Sequence, residues 1–233
     1  MTAPETDHPE SPYNYPRFRS DLYDFDAFHA PEVGDRFPDA TLWTLDGREV
    51  RLSDYLRDKP LVLETGSITC PMYGASVAPM QEVAADHPGL DFVVMYVREA
   101  HPGERTGAHA SLRAKIGTAE ASNAHHGERR TVLVDDTDGT AHRLYGAMPN
   151  SVFVIGPDGT VLYRTLWNNA EKIGPVLTDI ARGHAVASED LTPKPPFTLH
   201  ATRTLLRGGW LAVLDFYGGL VSLVGKHRKK GTM

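Results

Sequence analysis

Cys70 is the only cysteine of the chain, and it ends the run Leu61-Val62-Leu63-Glu64-Thr65-Gly66-Ser67-Ile68-Thr69-Cys70-Pro71. A second polar run, Glu99-Ala100-His101-Pro102, follows the apolar stretch Asp91-Phe92-Val93-Val94-Met95-Tyr96-Val97. A thiol, an imidazole and a carboxylate suffice for nucleophilic redox chemistry. The thiolate attacks, the imidazole moves a proton near neutral pH, and the carboxylate orients the imidazole or raises its pKa. Pro71 suits the first position of a helix because it has no N–H to lose. A helix start offers unpaired N–H groups and partial positive charge, which lower a thiol from its ordinary pKa of about 8.5. Ser67 and Thr69 carry hydroxyls able to donate to a thiolate or to an incoming polar atom, and His109 is a second imidazole for the same edge. The plain alternatives are a small buried hydrophobe for Cys70, solvent-facing positions for Glu99, His101 and His109, and turn formation for Ser67 and Thr69.

His125 and His126 stand in an Asn-Ala-His-His-Gly stretch with no cysteine or carboxylate at ligand spacing, so surface positions and no metal site are expected. One cysteine allows no intramolecular disulfide, so turnover has to draw on an outside thiol, of the thioredoxin or glutathione type, and no other cofactor is called for. Of the 233 residues 41 % are hydrophobic and 23 % charged, the make-up of one substantial globular domain with extensions. The net charge of -6 provides no general basic field, which points to a small-molecule substrate and away from nucleic acid. Residues 1–8 lack the basic and apolar regions of a secretory signal, so a reducing, cytoplasmic setting is expected.

The elements that must position these groups are legible in outline. Residues 1–30 form an irregular arm whose scattered Tyr and Phe side chains lie on the main domain, residues 31–183. Leu42 and Trp43, the turn Asp46-Gly47 and Glu49–Leu52 predict a hairpin, after which Ser53 caps a short helix. Leu61–Leu63 and Asp91–Val97 predict buried strands, and residues 71–86 a helix with a kink at Pro79. A helix over 108–121, carrying His109, and a strand over 131–134 follow. Then come a short helix ending at Tyr145, a strand over 151–155, the turn Pro157-Asp158-Gly159, a strand at 161–163 and a helix over 170–182. This order predicts an α/β fold, a mixed central sheet with helices on both faces, in the thioredoxin-like layout. Chemistry in such a sheet gathers beyond the carboxyl ends of parallel strands, where Cys70 and the Glu99–His101 run should meet. Pro149 stands where this layout places a cis proline beside the active residue.

Residues 184–198 hold Pro193, Pro195 and Pro196 and predict a linker. Over 199–233 an amphipathic helix is expected, with Leu206, Trp210, Val213, Leu214, Tyr217, Leu220, Val221 and Val224 at helical spacing and a basic end, Lys226-His227-Arg228-Lys229-Lys230. Residues 199–230 fit docking on the chain's own domain, a homodimer contact, or an anionic membrane surface that would make the protein peripheral. Asp215 and the Gly pairs weigh against a spanning helix.

The run Gly66-Ser67-Ile68-Thr69-Cys70-Pro71, followed by Tyr96-Val97-Arg98-Glu99-Ala100-His101-Pro102, His109, Tyr145-Gly146-Ala147 and Val152-Phe153-Val154-Ile155, resembles the iodothyronine deiodinases and their bacterial relatives. The resemblance spans about residues 31–183. It implies a nucleophile at Cys70, where the family commonly holds selenocysteine, that draws iodine off a phenolic or tyrosyl ring. It further implies Glu99, His101 and His109 as the acidic and histidine residues that deliver the replacing proton, and regeneration by an external thiol. Met72 and Tyr73 stand where the family has proline and phenylalanine, and Trp167-Asn168-Asn169 where animal members carry a glycine-rich stretch and a substrate-binding arginine. Ser67-Ile68-Thr69-Cys70 also resembles the peroxiredoxin motif, which implies a hydroperoxide substrate instead, with Leu63 in place of that motif's proline. A non-catalytic module with an inert Cys70 is the third reading.

Overall fold

The computed structural model describes residues 13–19, 28–188 and 199–219. At its centre, strands β3 (Leu61–Gly66) and β4 (Asp91–Tyr96) send alternate side chains to opposite faces. Leu61, Leu63, Val93 and Met95 enter one core; Val62, Val94 and Tyr96 enter the cores on the other side. Near-continuous apolar runs are what a central strand covered on both faces requires. β3, β4 and β5 (Thr131–Val134) run parallel. Antiparallel partners extend both sides: β1 (Thr41–Thr44) and β2 (Glu49–Arg51) beyond β5, β6 (Val152–Ile155) and β7 (Val161–Thr165) beyond β3. The seven-stranded order is β2-β1-β5-β4-β3-β6-β7.

Helix α1 (Pro71–Asp86) crosses from β3 to β4, and α2 (Leu112–His126) from β4 to β5. Short α3 (Thr140–Leu144) lies on the opposite face, where Ala141 joins Leu63, Met95 and Leu133. α4 (Ala170–Ala181) packs against α1, its Ile173, Leu177 and Ile180 closing on Met80, Val62 and Val154. The sheet is thus mixed and flanked by helices, as the element order predicts.

Four local expectations are corrected. The short helix after β2 is a 3-10 turn, Leu52–Tyr55, that begins before Ser53. α2 starts at Leu112 rather than 108, because the exposed Ser111 takes the cap position and accepts the N–H of Ala114 at 3.2 Å; His109 therefore sits in the preceding loop. The same helix runs on through His125 and His126, stopped by Gly127 at φ 68°, so these two are not loop residues. The segment after the linker is two helices, not one. α5 (Leu199–Gly208) ends at Gly209, whose φ of 109° suits glycine, and α6 occupies residues 210–219. Glu104 starts α6 by accepting the N–H of Trp210 at 2.5 Å and of Leu211 at 3.0 Å.

Residues 13–19 of the arm bury Tyr13, Tyr15 and Phe18. Tyr13 anchors them: its hydroxyl lies 2.7 Å from His142 Nδ1, and Arg98 donates to its carbonyl at 3.1 Å. Arm residues 1–12 and 20–27, linker residues 189–198 and the basic tail within 220–233 lie outside the described residues. Among the described residues no helix is long and apolar enough to cross a membrane.

Candidate active site

Gly66 is in register with Tyr96, so the turn leaving β3 and the loop leaving β4 begin side by side. Four residues separate Gly66 from the start of α1, and that turn is laced to the loop in both directions. Ile68 N donates to the Tyr96 hydroxyl at 3.2 Å, and Thr69 N donates to Glu99 Oε2 at 3.1 Å. In return Ala100 N donates to Ser67 Oγ, and His101 N to Thr69 Oγ1, both at 3.1 Å. Thr69, expected as a donor to the thiolate, donates instead from Oγ1 to Glu99 Oε2 at 2.6 Å, while Ser67 Oγ accepts from Ala100 N. They fix the turn that presents Cys70.

Cys70 caps α1 as Pro71 predicts. Its Sγ accepts the N–H of Tyr73 at 3.5 Å. Yet the side chain is 1 % exposed and packs with Tyr73, Val77, Val94, Tyr96 and Ala100. Burial pushes the thiol up to about 12; the N–H groups of Tyr73 and Met72 pull the other way without winning, and Glu64 and Glu99 add to the rise. The expected depressed pKa is therefore corrected: in this closed arrangement Cys70 is a neutral thiol, because desolvation outweighs the helix start.

Glu99, 3 % exposed, is saturated by polar groups: Tyr96 donates to its Oε1 at 2.5 Å, and the two Thr69 donors meet its Oε2. His109 is 7 % exposed, with Nε2 3.3 Å from Glu99 Oε1 but without hydrogen-bond alignment to any described group. An imidazole nitrogen left open beside a buried carboxylate is a place to hold a proton. Two Asn14 hydrogen bonds, Nδ2 to His109 O at 2.7 Å and His109 N to Oδ1 at 2.9 Å, set its backbone.

His101 is placed differently. Its ring lies between Phe18 of the arm, 4.5 Å between centroids, and Phe216 of α6, at 4.9 Å, and its Nδ1 has no partner among the described residues. Desolvation lowers its pKa to about 3. Part of the residue reaches solvent, while desolvation favours the neutral ring.

Those aromatic contacts belong to a cover over the carboxyl edge of the sheet. α5 packs on α1, and a side chain on Gly208 would collide with the carbonyl of His101. Arg17 joins the arm to α6 by donating from Nε and NH2 to Asp215 at 2.8 and 2.6 Å. Sequence reasoning missed Phe18 and Phe216 as site residues, and Tyr96 as the Glu99 partner. For Tyr96 a signal existed, a hydroxyl-bearing ring at the end of an apolar strand beside the thiol-bearing one.

Pro149 lies three residues before β6, and no cis peptide bond occurs among the described residues, so the cis-proline expectation is corrected. The chain turns there through Gly146 and Ala147, at φ 83° and 54°, which does the reorientation before the proline is reached.

The comparisons with known proteins bear on this arrangement. A family model described as iodothyronine deiodinase matches residues 15–168. The thyroxine 5-deiodinase of Gallus gallus is 29 % identical over 142 residues, 56 % of this chain and 55 % of that protein. That of Ovis aries is 28 % identical over 152 residues, 60 % and 51 % of the two. The chain spans about half the length of these curated relatives. Among solved structures, an uncharacterized conserved protein from Geobacillus kaustophilus matches with a TM-score of 0.55 at 18 % identity, covering 70 % of this chain and 93 % of that one. A putative thiol:disulfide interchange protein DsbE from Chlorobium tepidum matches at 0.51 and 23 %, covering 65 % and 96 %. The structural likeness establishes the thioredoxin-like fold. With Cys70, Tyr96, Glu99 and His109 all inside the matched span, the chain belongs to the iodothyronine deiodinase family, a family of oxidoreductases.

Proposed function

We propose that this chain is a thiol-dependent oxidoreductase that removes iodine reductively from an iodinated aromatic, with Cys70 as nucleophile and an external thiol as reductant. The carrying observation is the lacing of the Cys70 turn to Tyr96 and Glu99, with His109 Nε2 open on Glu99. This supports a reading in which a helix-capping sulfur and a proton-holding pair share one edge of the sheet.

The Cys70 thiolate attacks iodine; the carbon–iodine pair stays with carbon, which takes a proton, and a sulfur–iodine bond forms. An outside thiol then attacks that sulfur and iodide leaves, giving a mixed disulfide. A second outside thiol releases Cys70 and carries off the disulfide. The net change is one C–I bond to C–H, with two thiols oxidised. His109 holds the proton and Glu99 orients it, while Ser67 and Thr69 keep the turn in place. Because burial favours the neutral thiol, forming the anion calls for loosening of the packing of Tyr73, Val77, Val94, Tyr96 and Ala100 around the sulfur.

The test is iodide release from an iodinated tyrosine with dithiothreitol, run beside sulfenic-acid formation with hydrogen peroxide. Release by the native chain, abolished in Cys70→Ser, is the expected result. Release unchanged in Cys70→Ser refutes the nucleophile. Sulfenic acid with no release assigns the thiol to hydroperoxides instead.

A further inference from the structure

Five large apolar side chains are exposed among the described residues, and three of them, Trp210, Leu214 and Tyr217, fall on α6 at intervals of four and three residues. One turn apart, they form a single stripe. The opposite flank of the same helix is buried, through Ala212, Val213 and Phe216. Asp215, the only charged residue in 210–219, is engaged by Arg17. The outer face of α6 is therefore apolar and carries no unpaired charge.

We propose that this face docks in the interfacial layer of an anionic lipid bilayer, with the helix lying in the membrane plane. Three features select lipid over a protein partner. A stripe of three side chains on a helix about 15 Å long offers far less than the roughly 800 Å² per partner of a stable protein interface. Shallow insertion of an amphipathic helix needs only such a stripe plus basic charge. Trp and Tyr, apolar bodies with a polar tip, are the side chains that settle at the membrane–water boundary. Finally, the sequence beyond α6 repeats the spacing at Val221 and Val224 and then supplies Lys226, Arg228, Lys229 and Lys230, in a chain whose net charge is -6. The basic run is local in the sequence, a charge complement to anionic headgroups.

The experiment is flotation of the full chain with vesicles of phosphatidylcholine containing about 30 % phosphatidylglycerol, and with phosphatidylcholine alone. The native chain floats with the anionic vesicles. Binding falls by about tenfold or more in Trp210→Ala/Leu214→Ala, in the fourfold Lys/Arg→Gln tail variant, and on phosphatidylcholine. Both substituted sites are exposed or terminal, and unchanged thermal unfolding checks that the variants fold. Absence of binding by the native chain, or equal binding by the Trp210/Leu214 variant, overturns the proposal. So does a concentration-dependent dimer that this variant abolishes while vesicles go unbound, which would give the face to a second copy.

Discussion

Two buried carboxylates act on Cys70, Glu64 within β3 and Glu99 in the loop after β4, and they are partnered in different ways. Glu64, 0 % exposed on β3, receives the Arg130 guanidinium at 2.7 Å together with Ser76 Oγ, Asn150 Nδ2 and Asn168 Nδ2. Arg130 also grips Glu128, and although burial opposes the charge of both, the pairing wins, holding Glu128 below the usual carboxylate range and Arg130 above its own. Glu99 has no such fixed cation. Its donors are Thr69 and Tyr96, and the imidazole of His109 lies beside it with Nε2 3.3 Å from Oε1. A guanidinium locks a buried carboxylate in one charge state, whereas hydroxyls and an imidazole let the charge around it change. The first arrangement is suited to holding the fold and the second to moving a proton.

The largest effect is expected at the locked site. Glu64→Gln leaves Arg130 with one carboxylate and Asn150 and Asn168 without their charged acceptor, so stability should fall by about 3 kcal/mol, a melting shift of about 8 °C for a chain of this size. Thermal and urea unfolding measure it, while iodide release per folded molecule should stay within about threefold of native. A loss of turnover with native stability would reverse the contrast between the two carboxylates.

Glu99→Gln should do the opposite. The amide still meets Thr69 and Tyr96 in part, so the cost in stability should be about 1 kcal/mol, but turnover should drop about a hundredfold because His109 loses the carboxylate beside its Nε2. His109→Gln should match it, and the double variant should be no worse than either single one if the two residues act as a unit. Additive losses would separate them. His101→Gln, by contrast, should keep most activity, since that ring is neutral already at neutral pH.

Much of this edge was open to sequence reasoning because its parts are local. β3 and β4 announce themselves by apolar runs, Pro71 marks the first turn of α1, and the Glu-Ala-His-Pro run follows its strand directly. What stayed hidden depends on contacts between distant parts of the chain. The neutral state of Cys70 comes from packing against β4 and its loop, and the pairing of His101 with Phe18 and Phe216 needs both ends of the chain to meet. Arg17 and Asp215 are 198 positions apart. The break at Gly209 and the start of α2 at Leu112 were within reach, through the Gly208-Gly209 pair and the Ser111 cap, but the apolar spacing pointed elsewhere.

The smallest effect concerns the cover of arm and α6 over the loop that carries Glu99. The Arg17–Asp215 pair is half-exposed on the arginine side, so breaking it with Arg17→Ala should leave thermal unfolding almost unchanged. A cover that gates access to Cys70 should let iodoacetamide react about two- to fivefold faster in this variant with iodide release per folded molecule unchanged, whereas an unchanged rate would leave the shielding to β4 and its loop. The pH dependence has a fixed sign. The folded thiol sits near 12 against an ordinary value of about 8.5, so its burial favours the folded state fully below the ordinary value and that contribution is lost as pH rises towards 12. In the native chain alkylation should therefore climb through this alkaline window as unfolding stability declines, and in Cys70→Ser the decline should be shallower. An alkylation rate that instead levels off near pH 7 would mean the sulfur is already an anion under its cover, and the helix start, not desolvation, would govern it.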